Sequence, residues 1–371
     1  MPDENMQKKT LATGNTLVVS GPASLALIEG EATIFGAPVE LRERIVVREE
    51  KQLALEAQRD CIIETALGKG AELSEAQGST IPDSWKQALE ETMQIERPKI
   101  VVIGHVDSGK SAMCTCLVNA FAGEHPKLAL VDADLGQADI GPPAVLSLAT
   151  TDECLFSLSE LEPAIMVFIG HTSPALVKSQ VVEGLQKLLE SNPCPEEPLI
   201  VNTDGWIGEE DADLFKAKII SLIEPDLVIG IERQTGELHK LTSLIDARSI
   251  LVKSSSVVKT RTREERRRLR ELSYRRFLEG GTLKSVDFRK IPLKGILVRD
   301  NRLRGVCAKI NSLVGFLNEW GFLINIGVLV GVNQRAGLMK ILTKFNNDPS
   351  TIELGDVKID QHGHELIGEE L

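Results

Sequence analysis

A lysine and a serine at the end of a glycine-rich turn are the residues of this sequence best suited to chemistry. The turn has the spacing G-x-x-x-x-G-K-S. Its glycines let the backbone curl so that successive amide N–H groups point at phosphate oxygens. Lys110 would reach the β- and γ-phosphates of a nucleotide, and the Ser111 hydroxyl would hold Mg²⁺. The predicted nucleotide-binding residues are Gly104, His105, Val106, Asp107, Ser108, Gly109, Lys110, Ser111 and Ala112.

Two aspartates follow the next apolar run of the chain. Asp132 and Asp134 lie two residues apart, and Gln137 comes shortly after them. On an extended chain such a pair points the same way, so both carboxylates would face the phosphates. A carboxylate there is in range of Mg²⁺ or of an attacking hydroxyl, whereas a solvated Asp-rich turn is the alternative. The position one helix after the glycine-rich turn favours the functional role for this pair.

Two later loops carry less specific signals. Thr172 lies in Gly170-His171-Thr172-Ser173-Pro174, which is either a functional loop or simply the start of a helix. Trp206 follows Gly205 after another apolar run. A tryptophan at a loop tip is either a core plug or a stacking platform for a base, and its spacing alone slightly favours the plug.

A basic run between residues 253 and 276 holds ten Lys or Arg against three Asp or Glu, although the chain as a whole has a formal charge of −12. A solvated helix face is the usual fate of such a run. Its late position in a phosphate-binding fold instead indicates arginines that close over a transferring phosphoryl group, or a nucleic-acid contact. Because the rest of the surface is acidic, any nucleic-acid site must be a local basic patch.

The elements that must position these residues alternate between strand and helix from residue 99 onward. Apolar strands are predicted at 100–103, 127–132, 164–169, 198–202, 226–231 and 249–252, and helices at 174–190, 209–223 and 236–245. This alternation predicts a parallel sheet covered on both faces, with ligands beyond the carboxyl ends of the strands. The residues discussed above follow those ends.

The flanking parts of the sequence are typical of β structure. Short strands with frequent turn residues run from residue 16 to about 72, and residues 1–15 and 68–80 are predicted to be loops. Further strands are predicted at 293–298, 303–309, 323–332, 338–343 and 352–359. The predicted domains are a β-rich domain with a linker helix (1–97), a nucleotide-binding domain (98–283) and a second β-rich domain (284–371).

Several classes of protein are disfavoured by the sequence. No apolar run is long enough for a membrane span, and the N-terminus does not resemble a signal peptide. Cys114 and Cys116 lie two apart on a predicted helix and do not share a face, which indicates buried thiols and a reducing, cytoplasmic location. His362 and His364 are typical of a polar hairpin rather than a metal site. Guanine-specific P-loop proteins usually carry an N/T-K-x-D element after a late strand, and none follows residues 226–231. This disfavours a signalling GTPase and favours ATP or a loose choice of base, with GTP as the alternative nucleotide.

Taken together, the motifs resemble the polyribonucleotide 5′-hydroxyl-kinase family, which includes the RNA kinase of tRNA splicing and mRNA 3′-end processing, in its archaeal form. That family has a central α/β P-loop NTPase domain with a parallel sheet, flanked by small β-rich domains. The resemblance rests on residues 104–111, 134–137 with 140–143, 172–174 and 205–206, and on Arg261, Thr262, Arg266, Tyr274 and Phe277 of the basic run.

The resemblance implies Mg²⁺-dependent transfer of the ATP γ-phosphate to the 5′-OH of RNA, or also of DNA. It implies that the nucleotide base lies between the N-terminal and central domains. Two alternatives are a nucleotide-binding scaffold of an RNA-processing complex and a P-loop ATPase or GTPase without a nucleic-acid substrate. The implied roles are Lys110, Asp134, Arg261 and Arg266 in catalysis, Gln137, Thr172 and Trp206 in RNA binding, and Ser111 and Asp134 at the metal.

Overall fold

The structure is a computed structural model that describes residues 6–295, 298–299, 302–303 and 310–366. Residues 304–309 of the predicted strand 303–309, together with Cys307, lie outside the described residues. In the described part of the chain, no helix has both the length and the apolar character needed to cross a bilayer. The five described cysteines, 61, 114, 116, 154 and 194, are free thiols.

The N-terminal part is a sandwich of two antiparallel sheets with strand orders β1-β8-β3-β6 and β5-β4-β7-β2-β9. Alternate residues of the strands are buried, and side chains from both sheets share one core. The strands are β1 (Met6–Leu11), β2 (Thr16–Ser20), β3 (Ala23–Glu29), β4 (Ala32–Ile34), β5 (Ala37–Pro38), β6 (Arg44–Val47), β7 (Gln52–Ala57), β8 (Cys61–Leu67) and β9 (Glu72–Ala76).

Two of these strands were predicted to be loops, and that prediction was wrong. β1 and β9 lie at sheet edges and expose most of their side chains. An edge strand that faces solvent needs few apolar residues and is commonly charged. The alternation that marks a half-buried strand is therefore missing from both sequences.

The central part is a seven-stranded sheet of order β13-β12-β11-β14-β10-β15-β16, with helices on both faces. β12 runs opposite to the other six strands of this sheet, so the predicted parallel sheet is mixed at one point. The elements are α1 (Asp83–Thr92), β10 (Lys99–Gly104), α2 (Lys110–Phe121), β11 (Leu128–Ala133), β12 (Val145–Thr151), β13 (Ile165–Phe168), α3 (Lys178–Glu190), β14 (Leu199–Thr203), α4 (Glu210–Ile223), β15 (Leu227–Glu232), α5 (His239–Thr242), β16 (Ser249–Lys253) and α6 (Arg263–Leu278).

The C-terminal part is a six-stranded sheet of order β17-β23-β22-β21-β24-β18, with a two-stranded ribbon beside it. It contacts the central sheet closely, since the Asp356 N–H donates to Gly170 O at 2.8 Å. The strands are β17 (Thr282–Asp287), β18 (Leu293–Gly295), β19 (Val298–Arg299), β20 (Arg302–Leu303), β21 (Ser312–Leu317), β22 (Leu323–Asn333), β23 (Leu338–Thr343) and β24 (Thr351–Lys358). The predicted fold class, a central α/β domain between β-rich parts, is confirmed.

Candidate active site

The glycine-rich turn connects β10 to α2 in the way its spacing predicts. Gly104 has φ +156, and a Cβ there would lie 2.5 Å from Ser108 Oγ and 2.9 Å from Ile231 O. Gly109 caps α2 with φ +104 and lies against the Trp85 ring. Ser108 Oγ is buried and has no hydrogen-bond partner among the described residues. The turn therefore has glycine where no side chain fits, and it keeps polar groups free for a ligand.

Lys110 lies inside this turn. Its Nζ donates to Gly104 O at 3.0 Å and to His105 O at 2.8 Å, and the side chain is buried. Burial lowers the pKa of Lys110, while the nearby Asp134 carboxylate raises it. The ammonium group is thus held by two neutral carbonyl oxygens, which leaves its charge available to phosphate oxygens.

The remaining residues of the turn frame this lysine. His105 Nε2 lies 3.3 Å from Glu237 Oε1, and burial lowers the pKa of the imidazole. Val106, Ser111 and Ala112 line a cleft beside the turn, and Val106 is partly exposed. All nine predicted nucleotide-binding residues thus lie at the carboxyl end of β10 or in the first turn of α2.

Asp132, near the end of β11, and Asp134, just after it, have different partners, although both were expected to face the phosphates. Asp132 accepts hydrogen bonds from the N–H groups of Asp139 and Ile140 and from Asn202 Nδ2. Asp132 therefore stabilises the loop that follows β11. Burial, with Asp139 and Asp134 close by, raises the pKa of Asp132 to about 7.

Asp134 is the carboxylate that faces Lys110. Its Oδ1 accepts hydrogen bonds from the N–H groups of Gly136 and Gln137 at 3.0 and 2.9 Å. Burial raises its pKa, and the Lys110 ammonium opposes that rise. The side chain of Gln137 points toward the basic helix, since Nε2 donates to Arg266 O at 3.4 Å. This loop therefore joins the phosphate-binding turn to the basic run.

A third aspartate, which the sequence reasoning missed, lies beside Ser111. Asp139 is buried, and Ser111 is one of its neighbours. Burial alone would raise the pKa of Asp139, but the Lys51 ammonium, its hydrogen bond and the nearby Ser111 hydroxyl bring it below its usual value. Lys51 comes from the N-terminal sandwich, with its Nζ 2.5 Å from Asp139 Oδ1. Only the arrangement in space brings this lysine to the site, because 88 residues separate it from Asp139.

The oxygen atoms around Ser111 suit a magnesium ion. A hydroxyl and an ionised carboxylate are the hard oxygen ligands that Mg²⁺ prefers, and the ion usually keeps waters and substrate phosphates as its other ligands. Within the described residues, no set of three or more His, Cys, Asp or Glu side chains is placed to hold a metal. Ser111 and Asp139 by their chemistry fit an ion whose other ligands are waters and nucleotide phosphates.

Arg261 and Arg266 were predicted to close over the transferring phosphoryl group, and we call them the lid arginines. Both reach the phosphate-binding turn. Arg261 Nη1 lies 3.2 Å from Asp107 Oδ1, and Arg266 Nη1 lies 3.1 Å from Asp107 Oδ2. Thr262 caps α6 in a capping box with Glu265, which fixes where the helix starts relative to Asp107. The basic run is therefore divided: Arg261 and Arg266 contact the phosphate-binding turn, whereas other arginines of α6 form ion pairs away from it, such as Arg267 with Glu271.

Trp206 lies in a loop that packs closely against the phosphate-binding turn. A Cβ at Gly205 would lie 2.4 Å from Val106 N. The Trp206 ring packs against Phe215 with centroids 5.9 Å apart, and Lys178 Nζ lies 5.5 Å from its centroid. Trp206 is half-buried and packs against the core of the central domain.

A buried ion pair holds this loop, and the sequence reasoning missed it. Lys216 Nζ lies 2.6 Å from Asp204 Oδ2 and donates to Asp204 O at 3.1 Å. The other carboxylate oxygen accepts the Trp206 N–H at 2.8 Å. Lys216 lies on α4, and nothing in the spacing of a helical lysine indicates which loop it pairs with.

Thr172 borders the loop of Asp134. Its carbonyl oxygen would lie 3.2 Å from a Cβ at Gly136, and the side chain is partly exposed beside Asp356 and Lys358. The sites of Thr172, Asp134 and Trp206 all follow strands that run in the same direction, so they meet at one edge of the sheet.

A cleft of about 1310 Å³ opens beside the phosphate-binding turn and Asp134. It is lined by the sandwich, the phosphate-binding turn and α6, for example by Phe35, Trp85, Lys110 and Arg276. Its volume exceeds the roughly 300–1,000 Å³ of an ordinary small-molecule pocket. The cleft therefore has room for a nucleotide between the N-terminal and central parts.

Comparison with known proteins agrees with this arrangement. Residues 104–280 match the family described as mRNA cleavage and polyadenylation factor CLP1 P-loop. The polyribonucleotide 5′-hydroxyl-kinase of Pyrococcus furiosus is 27% identical in a match that covers 77% of this chain and 95% of that protein. The corresponding protein of Methanocaldococcus jannaschii is 26% identical over 77% of this chain and 94% of its own length.

A solved structure of Clp1p in complex with Pcf11p has the same fold, with a TM-score of 0.75 over 96% of this chain and 99% of that one, at 12% identity. The predicted resemblance to the archaeal polyribonucleotide 5′-hydroxyl-kinases is thus confirmed. The chain is a nucleotide-binding P-loop protein.

Proposed function

We propose that this protein is a Mg²⁺-dependent polynucleotide 5′-hydroxyl kinase that transfers the γ-phosphate of ATP to the 5′-OH of RNA. The observation that carries the proposal is the convergence of three distant stretches on one edge of the sheet. The phosphate-binding turn, Asp134 and the lid arginines lie within side-chain reach of one another. The relatives named for this activity support it.

Each part of the site has a role in phosphoryl transfer. The amides of the turn and Lys110 hold the triphosphate, and Arg261 and Arg266 would neutralise charge on the phosphoryl group. When bound at Ser111 and the neighbouring carboxylates, Mg²⁺ supplies further positive charge. Phosphoryl transfer passes through a loose transition state, so positioning and charge neutralisation provide most of the catalysis.

Asp134 acts on the acceptor. Its carboxylate orients the 5′-hydroxyl in line with the γ-phosphorus and accepts its proton as the oxygen attacks. A new O–P bond forms, the bond to the β-phosphate oxygen breaks, and ADP leaves. Burial raises the pKa of Asp134, which makes it a better proton acceptor than a solvated aspartate. Trp206 and Thr172, at the same edge of the central sheet as Asp134, would hold the terminal nucleotide of the RNA.

The test is transfer of labelled γ-phosphate from ATP to matched 5′-OH RNA and DNA strands at fixed salt. Lys110→Ala and Asp134→Asn should each lower the transfer rate by roughly 10²–10⁴-fold. Asp83→Asn, at an exposed aspartate, is the matched control and should transfer phosphate at the wild-type rate. Failure of the wild-type protein to label any 5′-OH strand would refute the proposal.

A scaffold role in an RNA-processing complex is the second candidate. It is favoured by the fold match to Clp1p, which was solved in a complex with Pcf11p. It predicts that the chain binds ATP and that no γ-phosphate reaches RNA. The same assay therefore separates the two candidates.

A further inference from the structure

The turn between β6 and β7, residues 48–51, has an unusual backbone conformation; we call it the clamp turn. Glu50 has φ +62, a left-handed conformation that residues with a Cβ seldom adopt. Behind the turn, a Cβ at Gly21 would lie 2.1 Å from Arg48 O, and the Gly21 N–H donates to Lys51 O at 2.9 Å. Backbone strain of this kind persists only where the surrounding structure imposes it, and it is concentrated at functional sites.

One side of the clamp turn holds the start of the lid. The Glu50 carboxylate lies 2.7 Å from Lys259 Nζ, and Glu50 O accepts a hydrogen bond from Arg261 Nη2 at 3.2 Å. Glu49 Oε1 lies 3.0 Å from Arg268 Nη2. The pair of Glu50 with Lys259 is better shielded than that of Glu49 with Arg268, whose side chains are 39% and 48% exposed. Glu50 is therefore the stronger of the two contacts.

The other side of the clamp turn reaches the metal side of the site. Lys51 Nζ lies 2.5 Å from Asp139 Oδ1, and Asp139 neighbours the Ser111 hydroxyl. Lys51 is 34% exposed at its side chain, whereas Asp139 is only 6% exposed. A partly buried pair of this kind is screened less by salt than a surface pair and fixes the orientation of the carboxylate.

We propose that the clamp turn is a positioning element for phosphoryl transfer. Glu50, helped by Glu49, fixes the lid segment over the phosphate-binding turn, while Lys51 fixes Asp139 beside Ser111. The inference deepens the proposed function and rests on it for the reaction that is served. The clamp turn, residues 48–51, lies outside the segment that matches the CLP1 P-loop family. Its role is therefore inferred from the contacts of this chain alone.

The Lys51 contact is tested by calorimetric titration of ADP at a series of Mg²⁺ concentrations. Lys51→Ala should raise the Mg²⁺ concentration for half-maximal ADP binding about tenfold, the lower end of the effect of losing a residue that orients a metal ligand. Lys51→Arg should restore most of the difference. Lys9→Ala, which removes a partly exposed ion pair with Glu75 of the same sandwich, far from Asp139, is the control and should match the wild type. A wild-type Mg²⁺ dependence in Lys51→Ala would overturn the proposal.

The Glu50 contact is tested by hydrogen exchange of the amides at the start of α6. Glu50→Lys places two like charges together and should speed exchange of the hydrogen-bonded amides of residues 265–268 about tenfold. The charge swap Glu50→Lys with Lys259→Glu should bring the rate back toward the wild type. Amides of β10 are the internal reference. Equal acceleration in β10, or a swap that restores nothing, would contradict the proposal.

Neither measurement involves RNA, so the two proposals can fail separately. A protein that shows both effects but phosphorylates no 5′-OH strand would refute the proposed function and leave the clamp turn as a positioning element of a nucleotide site. A protein that phosphorylates RNA but shows neither effect would refute only the role of the clamp turn.

Discussion

The buried ion pair between Lys216 and Asp204 allows a prediction with a calculable size. The side chains are 1% and 10% exposed, and Lys216 Nζ donates to both Oδ2 and the main-chain oxygen of Asp204. Lys216→Met leaves a buried carboxylate without its counter-charge. Removal of one partner of a buried pair costs about 3–5 kcal/mol of unfolding free energy. The double variant Asp204→Asn with Lys216→Met leaves no uncompensated charge, so its loss should be clearly smaller.

The assay is thermal unfolding followed by calorimetry, with urea titration as a second measure. A loss of about 3–5 kcal/mol corresponds to a fall in Tm of about 6–20 °C for a cooperative unit of 150–250 residues. Lys178→Met is the control, because its pair with Asp211 is 36% and 67% exposed and should contribute less than about 1 kcal/mol. If Lys216→Met loses no more than Lys178→Met, or the double variant loses as much as the single one, the reasoning from burial is wrong.

Two further predictions concern the lid and the thiols. The double variant Arg261→Ala with Arg266→Ala should lower the rate of phosphate transfer by roughly 10³–10⁵-fold. Arg275→Ala is the control and should stay within about twofold of the wild-type rate, because its guanidinium contacts His364 away from Asp107. Transfer rates with labelled ATP measure both variants, and equal losses would refute the assignment of the lid arginines. Cys154 is exposed, whereas burial raises the pKa of Cys116 to about 12 and that of Cys114 well above its usual value. At pH 8 iodoacetamide should therefore label Cys154 and spare Cys114 and Cys116 until the protein is unfolded, as read by mass spectrometry of peptides; rapid labelling of Cys116 in the folded protein would contradict this.

The phosphate-binding turn could be predicted from the sequence because its chemistry is local. Gly104 and Gly109 are required by backbone conformation, and Lys110 and Ser111 act from the first turn of the helix that follows. The same holds for the apolar strands of the central sheet, which are buried on both faces and so stand out as continuous runs. β1 and β9 gave no such signal, because these edge strands bury few of their side chains and therefore contain few apolar residues.

Spacing also gave the right neighbourhood but not the right role for some residues. Asp132 and Asp134 were predicted as a pair, yet the chain turns after β11 and Asp132 is used to hold residues 139 and 140. The two arginines of the lid were predicted, but their common partner Asp107 was not, because 154 residues separate Arg261 from it.

The sequence by itself determined the parts of the site that a few consecutive residues make: the curled turn, its lysine and serine, the capped basic helix and the alternation of strand and helix. The tertiary structure alone decided which distant charges meet. Lys51 at Asp139, Lys216 at Asp204 and Glu50 at Lys259 each join residues far apart in the chain. Ion pairs depend on distance and burial in space, and a single sequence carries neither quantity.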